Sequence, residues 1–132
     1  MKTCLIAERS HAVRKVAAGI ISSLGLAVIT APDDADLATL LVQTKPDILL
    51  IDEGLTGLES ANLLRSLRAG AHGRAPYLLV LTLRRDTASL AALLEAGADD
   101  ILIKPFDAGM IALKLAAAGL VPFPAGSADE AA

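Results

Sequence analysis

Ile48-Leu49-Leu50-Ile51-Asp52 is four aliphatic residues closed by an acid. A short unbroken apolar run of this kind reads as a strand buried on both faces. The same pattern recurs twice. Tyr77-Leu78-Leu79-Val80-Leu81 ends at Thr82, and Ile101-Leu102-Ile103 ends at Lys104, which Pro105 follows. Three polar groups of different chemistry therefore stand at the carboxyl ends of buried strands, where open α/β sheets form their ligand crevice. A carboxylate, a hydroxyl and an ammonium gathered there suit the holding of a phosphoryl group on the carboxylate.

The rest of the chain alternates in the same way. Apolar runs predict strands at 3–7, 27–30, 47–51, 77–81 and 100–103. Between them lie helical periodicities. Val13, Val16, Ala17, Ile20, Ile21 and Leu24 recur at three and four, with Ser10 as N-cap and Gly25 as stop. Leu37, Leu40 and Leu41 mark a second helix after Pro32. Ala61, Leu64 and Leu67 mark a third ending near Gly70, and Leu90, Leu93 and Leu94 a fourth ending at Gly97. Met110, Ile111 and Leu115 mark a fifth ending at Gly119. Five β-α units imply a doubly wound parallel sheet with helices on both faces. Right-handed crossovers then favour the flavodoxin-like strand order 2-1-3-4-5. That order sets strands one and three side by side, so Glu8 and Arg9 are expected to meet Asp52. Residues 1–120 read as one domain and 121–132, rich in Pro, Gly, Ser and Ala, as a flexible tail.

Composition removes several function classes. The 132 residues carry a net charge of −3 and three aromatic side chains, Tyr77, Phe106 and Phe123. That is neither a basic footprint for nucleic acid nor a stacking platform for single strands. One cysteine, Cys4, excludes an internal disulfide and a cysteine-built zinc site, and its apolar setting reads as an inert buried thiol. No secretory signal or membrane span is visible, so a cytoplasmic protein is expected. Glu8-Arg9-Ser10-His11 is not the glycine-rich turn of a dinucleotide site. His11 and His72 lack a partner motif, and Asp33-Asp34 and Asp99-Asp100 read as turn and helix-start acids.

Taken together, these residues resemble the response-regulator receiver domain of two-component signalling, over about residues 2–118. Asp52 falls on the family's phosphoacceptor, Thr82 on its hydroxyl and Lys104-Pro105-Phe106 on its Lys-Pro-Phe. Gly97-Ala98-Asp99-Asp100 and Pro46-Asp47 match the flanking stretches, and Met1 to Ile6 with Val13 to Ala17 look like the chemotaxis-type single-domain regulators. There are departures. Arg9 replaces the second acid of the family's metal-binding pair, and a guanidinium has no lone pair to offer. Leu55-Thr56 and Glu59-Ser60 stand for Met-Pro and Asp-Gly. Leu83 follows Thr82 where a small residue is usual, and Ile101 occupies the place of a switching aromatic.

The resemblance implies a stand-alone receiver in a phosphorelay, not an enzyme beyond self-catalysed phosphoryl transfer and dephosphorylation. Asp52 accepts the phosphoryl group, Lys104 pairs with it across a cis Lys-Pro bond, and Thr82 donates to it. Glu8 and Asp52 are the carboxylates left for Mg²⁺, bound weakly or not at all because Arg9 stands in for it as a second fixed cation beside Asp52. Implied partners are a histidine kinase or phosphotransfer protein and a downstream protein target met through the fourth helix, fifth strand and fifth helix, with no nucleic acid and no membrane. The chain is expected to be a monomer or weak dimer. The alternative is a pseudo-receiver that binds partners without Mg²⁺-dependent phosphorylation. Asp52-Glu53-Gly54-Leu55-Thr56 faintly echoes the haloacid-dehalogenase-like phosphatases, but Gly54 takes the place of their second Asp. Arg84-Arg85 open the fourth helix and offer a cationic lip for a phosphate-bearing ligand such as a cyclic dinucleotide.

Overall fold

In a computed structural model the described residues are 1–33, 37–55, 59–70 and 74–123, with the backbone alone described for 59–61 and 63. Asp34, Thr56, His72 and most of the expected tail lie outside them, as do the side chains of Glu59, Ser60 and Ala61. Five strands alternate with five helices: β1 (Thr3–Ala7), α1 (His11–Ser23), β2 (Ala27–Ala31), α2 (Leu37–Thr44), β3 (Ile48–Asp52), α3 (Glu59–Arg68), β4 (Tyr77–Thr82), α4 (Thr87–Ala96), β5 (Asp100–Ile103) and α5 (Ala108–Ala117). The sheet is parallel with the expected order β2-β1-β3-β4-β5.

The period of two along a strand divides the core. Odd residues of β1 and β3 (Leu5, Leu49, Ile51) and even residues of β4 (Leu78, Val80) face α2, α3 and α4 through Leu37, Leu41, Leu64, Leu67 and Leu93. The opposite parity (Cys4, Ile6, Ile48, Leu50, Leu79, Leu81) faces α1 and α5 through Ala17, Ile21, Ile111 and Leu115. Burial on both faces explains why these strands read as unbroken apolar runs. Ile101 packs against the first layer, and Leu120 and Val121 against the second. Ordered packing thus runs one residue into the expected tail.

Helix limits follow local chemistry. Ser10 caps α1 by accepting the Val13 N–H, Asp86 caps α4 from Ser89 and Asp107 caps α5 from Met110. The cap at Asp86 corrects one expectation: α4 begins at Thr87, so Arg84 and Arg85 lie in the preceding turn. Gly97 ends α4 at a φ of 126°, and an added Cβ would stand 2.8 Å from Arg68 Cγ. A second correction concerns Asp99 and Asp100: Asp100 opens β5, Asp99 lies in the bend before it, and neither starts a helix. No described helix is long and apolar enough to cross a membrane.

Candidate functional site

The site grows out of strand register. Ala7 pairs with Ile51, so the next residues, Glu8 and Asp52, stand level at the carboxyl rim. Glu8 is only 2% exposed. A carboxylate so placed needs a cation and hydrogen-bond donors. Lys104 supplies the cation. Its Nζ donates to Glu8 Oε1 at 2.6 Å and to Asp52 Oδ1 at 2.8 Å. The Lys104-Pro105 peptide is cis, as the resemblance implied. Burial pulls the Lys104 pKa down, but the bonds and charges of Asp52 and Glu8 outweigh it and hold the ammonium above its ordinary value. The remaining oxygens are also engaged: Glu8 Oε2 accepts the Ser10 N–H at 3.0 Å and Asp52 Oδ2 the Gly54 N–H at 3.1 Å. Two carboxylates thus share one ammonium.

Thr82 does not join them. It is fully buried, and its Oγ1 donates to Glu53 Oε1 at 2.5 Å while accepting the Arg84 N–H at 3.0 Å. The register gives the reason. Asp52 lies opposite Leu81, which sets Thr82 level with Glu53. By parity Asp52 falls on the α1/α5 side with Ile48 and Leu50, and Thr82 on the α4 side with Leu78 and Val80. Arg84 Nε closes the group at 3.3 Å from Glu53 Oε1. Glu53 is the residue that sequence reading missed. Its signal was position alone, one step past the strand-ending acid.

Arg9 is also placed differently from the expectation of a second cation on Asp52. Its exposed guanidinium donates through Nη2 to the Leu55 carbonyl at 2.7 Å, three residues beyond Asp52. A long side chain at the strand end reaches the loop more readily than it turns back on a carboxylate already held by Lys104. Leu83, 74% exposed, lines a groove of about 510 Å³ with Val13, Val16, Pro105 and Phe106. Arg85 is exposed, and Arg84 is spent on Glu53 and Ser89.

Glu8 and Asp52 are the two carboxylates that would hold Mg²⁺, with water completing its shell, and both already bond Lys104. A hard cation needs several oxygen ligands. Among the described residues no group of three or more acids, histidines or cysteines forms a metal cluster. Every oxygen of Glu8 and Asp52 already accepts a hydrogen bond. Arg9 occupies the Leu55 carbonyl nearby.

Comparison with known proteins agrees with the geometry. The family described as "Response regulator receiver domain" matches residues 4–116. Transcriptional regulatory protein CseB of Streptomyces coelicolor is 31% identical over 113 residues, 86% of this chain and 47% of that protein. Response regulator MprA of Mycobacterium avium is 33% identical over 102 residues, 77% of this chain and 44% of that protein. The chain therefore spans less than half the length of these curated relatives. A solved response regulator from Thermotoga maritima shares the fold at a TM-score of 0.79 and 24% identity, covering 89% of this chain and 96% of that one. With the matching residues, the strand order and the rim that gathers Glu8, Asp52 and Lys104 in view, the chain belongs to the response regulator receiver domain family.

Proposed function

We propose that this receiver is a phosphorylation-linked switch of the cytoplasm, with Asp52 as phosphoacceptor. A histidine kinase or phosphotransfer protein presents the phosphoryl group. An Asp52 carboxylate oxygen forms the new bond to phosphorus, the bond from phosphorus to the donor breaks, and the donor leaves with that electron pair. One observation carries the reading: Lys104 Nζ lies 2.8 Å from Asp52 Oδ1 at the carboxyl rim of the sheet. A fixed ammonium there offsets the charge that the phosphoryl group adds. Thr82 serves as the hydroxyl donor once it turns from Glu53. Output passes by protein contact through α4, β5 and α5, where Leu94, Met110 and Leu113 are exposed, in a monomer or weak dimer.

Receiver domains typically use Mg²⁺ for this step. Here the cationic charge comes from Lys104, with Arg9 bracing the loop after Asp52. The pseudo-receiver reading draws on that same Arg9–Leu55 bond, which ties the loop with no phosphoryl group present. Acetyl phosphate separates the two. The expected result is a mass gain of one phosphoryl group with or without Mg²⁺, lost in Asp52→Asn. Arg9→Asp makes the labelling respond to Mg²⁺. No labelling under either condition establishes the pseudo-receiver, and labelling of the wild type only with Mg²⁺ removes the metal-independent role.

A further inference from the structure

We propose that Glu53 is a positioning residue that withholds the Thr82 hydroxyl from Asp52 until a phosphoryl group competes for it. The inference rests on the phosphoacceptor reading above. A threonine hydroxyl has a single hydrogen to donate. That hydrogen goes to Glu53 Oε1 at 2.5 Å, while Oγ1 accepts the Arg84 N–H at 3.0 Å. Arg84 Nε, 3.3 Å from the same Glu53 oxygen, completes a ring of three residues. Thr82 is fully buried, so water does not supply a substitute acceptor.

The ring is built into the sheet. Glu53 N–H donates to the Leu81 carbonyl at 2.9 Å, carrying the β3–β4 ladder one residue past Asp52 and fixing Glu53 level with Thr82. A phosphoryl group on Asp52 has oxygen acceptors that call on the same hydrogen. The two acceptors exclude one another, so each weakens the other's hold on Thr82 by the same factor. A cavity of about 170 Å³ lined by Glu53, Arg84, Ser89 and Leu93 borders the ring and gives the displaced carboxylate room. Glu53 therefore sets how tightly a phosphoryl group engages the β4–α4 turn, although it touches no reacting atom.

Charge alone would also make Glu53 oppose a phosphoryl group, and a double-mutant cycle separates the two causes. The phosphoryl analogue beryllofluoride is titrated, with Mg²⁺ present, into the full chain, Glu53→Ala, Thr82→Val and the double variant, and followed by backbone amide NMR. Thr82→Ala takes the place of Thr82→Val if the latter does not fold. Glu53→Ala is expected to tighten binding about tenfold, the scale of one lost competing hydrogen bond to a charged group. The gain disappears when Thr82 is also replaced. Glu53→Gln, which keeps an acceptor oxygen without charge, gains less. Before any ligand is added, Glu53→Ala shifts the Arg84 amide resonance. Equal tightening with and without Thr82 assigns the effect to charge and overturns the proposal, as does wild-type affinity in Glu53→Ala. Absence of saturable binding in every variant overturns the phosphoacceptor reading, and the competition with it.

Discussion

The two rims of the sheet use acids in opposite ways. At the amino rim each acid has its own cation and its own strand. Asp47 accepts the Thr3 N–H at 2.9 Å and pairs with Arg74 at 2.9 Å; Asp99 accepts the Leu78 N–H at 2.8 Å and pairs with Arg68. Each carboxylate staples the start of one strand to its neighbour. At the carboxyl rim Glu8 and Asp52 divide a single ammonium, and the short backbone turns after them supply the other donors. A staple is complete with the partners it has. The cluster around Lys104 holds one acid more than its ammonium neutralises, and it holds it where ligands enter a parallel sheet. The count of cations per acid therefore separates structure from function here more sharply than the acids themselves do.

The largest test of that contrast removes a cation from each rim. Lys104→Met leaves Glu8 buried beside Asp52 without a counter-charge, and breaking a buried pair in this way costs about 3 kcal/mol. Arg74 is 73% exposed, so Arg74→Met costs less than about 1 kcal/mol. Urea unfolding of the two variants measures both. Equal losses would erase the distinction between the rims.

Removing an acid from each rim gives smaller changes of opposite sign. Asp47→Ala strips the Thr3 N–H of its partner and destabilises by about 1 kcal/mol. Asp52→Asn relieves the crowding of two carboxylates on Lys104 and stabilises by about 0.5 kcal/mol, as functional groups held against local preference do when replaced. Thermal unfolding at neutral pH reads the sign directly. A loss of stability in Asp52→Asn as large as that in Asp47→Ala would make Asp52 another staple.

The contrast was only half legible in the sequence. Order of elements, strand order and the Asp52–Lys104 contact follow from apolar runs closed by polar residues, because burial on both faces leaves an unmistakable pattern. The Ser10 cap and the glycines that end the helices were equally readable. Register was not. Whether Thr82 stands level with Asp52 or with Glu53 depends on a one-residue offset between β3 and β4, and that offset moves a side chain to the other face. Arg9 was misplaced because its reach to a loop carbonyl is set by the path of the β3–α3 turn. Asp99 reads as a turn acid from Gly97-Ala98-Asp99-Asp100. Only the neighbouring strand's Leu78 N–H reveals it as a staple.

The finest test is titration, because the rims fail at opposite ends of the pH scale. The Thr3 N–H bond, with Arg74 behind it, holds the Asp47 carboxyl below its ordinary value of 3.8. A depressed acid stabilises the fold above its ordinary pKa, and that contribution fades as pH falls through the folded value. Lys104 is raised above 10.5, so its contribution is complete below that pH and fades as pH climbs through the folded value. Two other groups share the alkaline limb: burial pushes the Cys4 thiol up to about 12, and burial with the charges of Asp100 and Asp99 pushes Tyr77 up to about 12. The comparison is therefore made in a Cys4→Ala, Tyr77→Phe background, with stability followed from pH 2 to 12. Asp47→Asn makes the acid limb shallower, leaving the part that Asp86 contributes through its Ser89 bonds, and spares the alkaline limb, whereas Lys104→Met acts on the alkaline limb alone. An alkaline slope that survives Lys104→Met in this background would mean that the carboxyl rim is not organised around its ammonium.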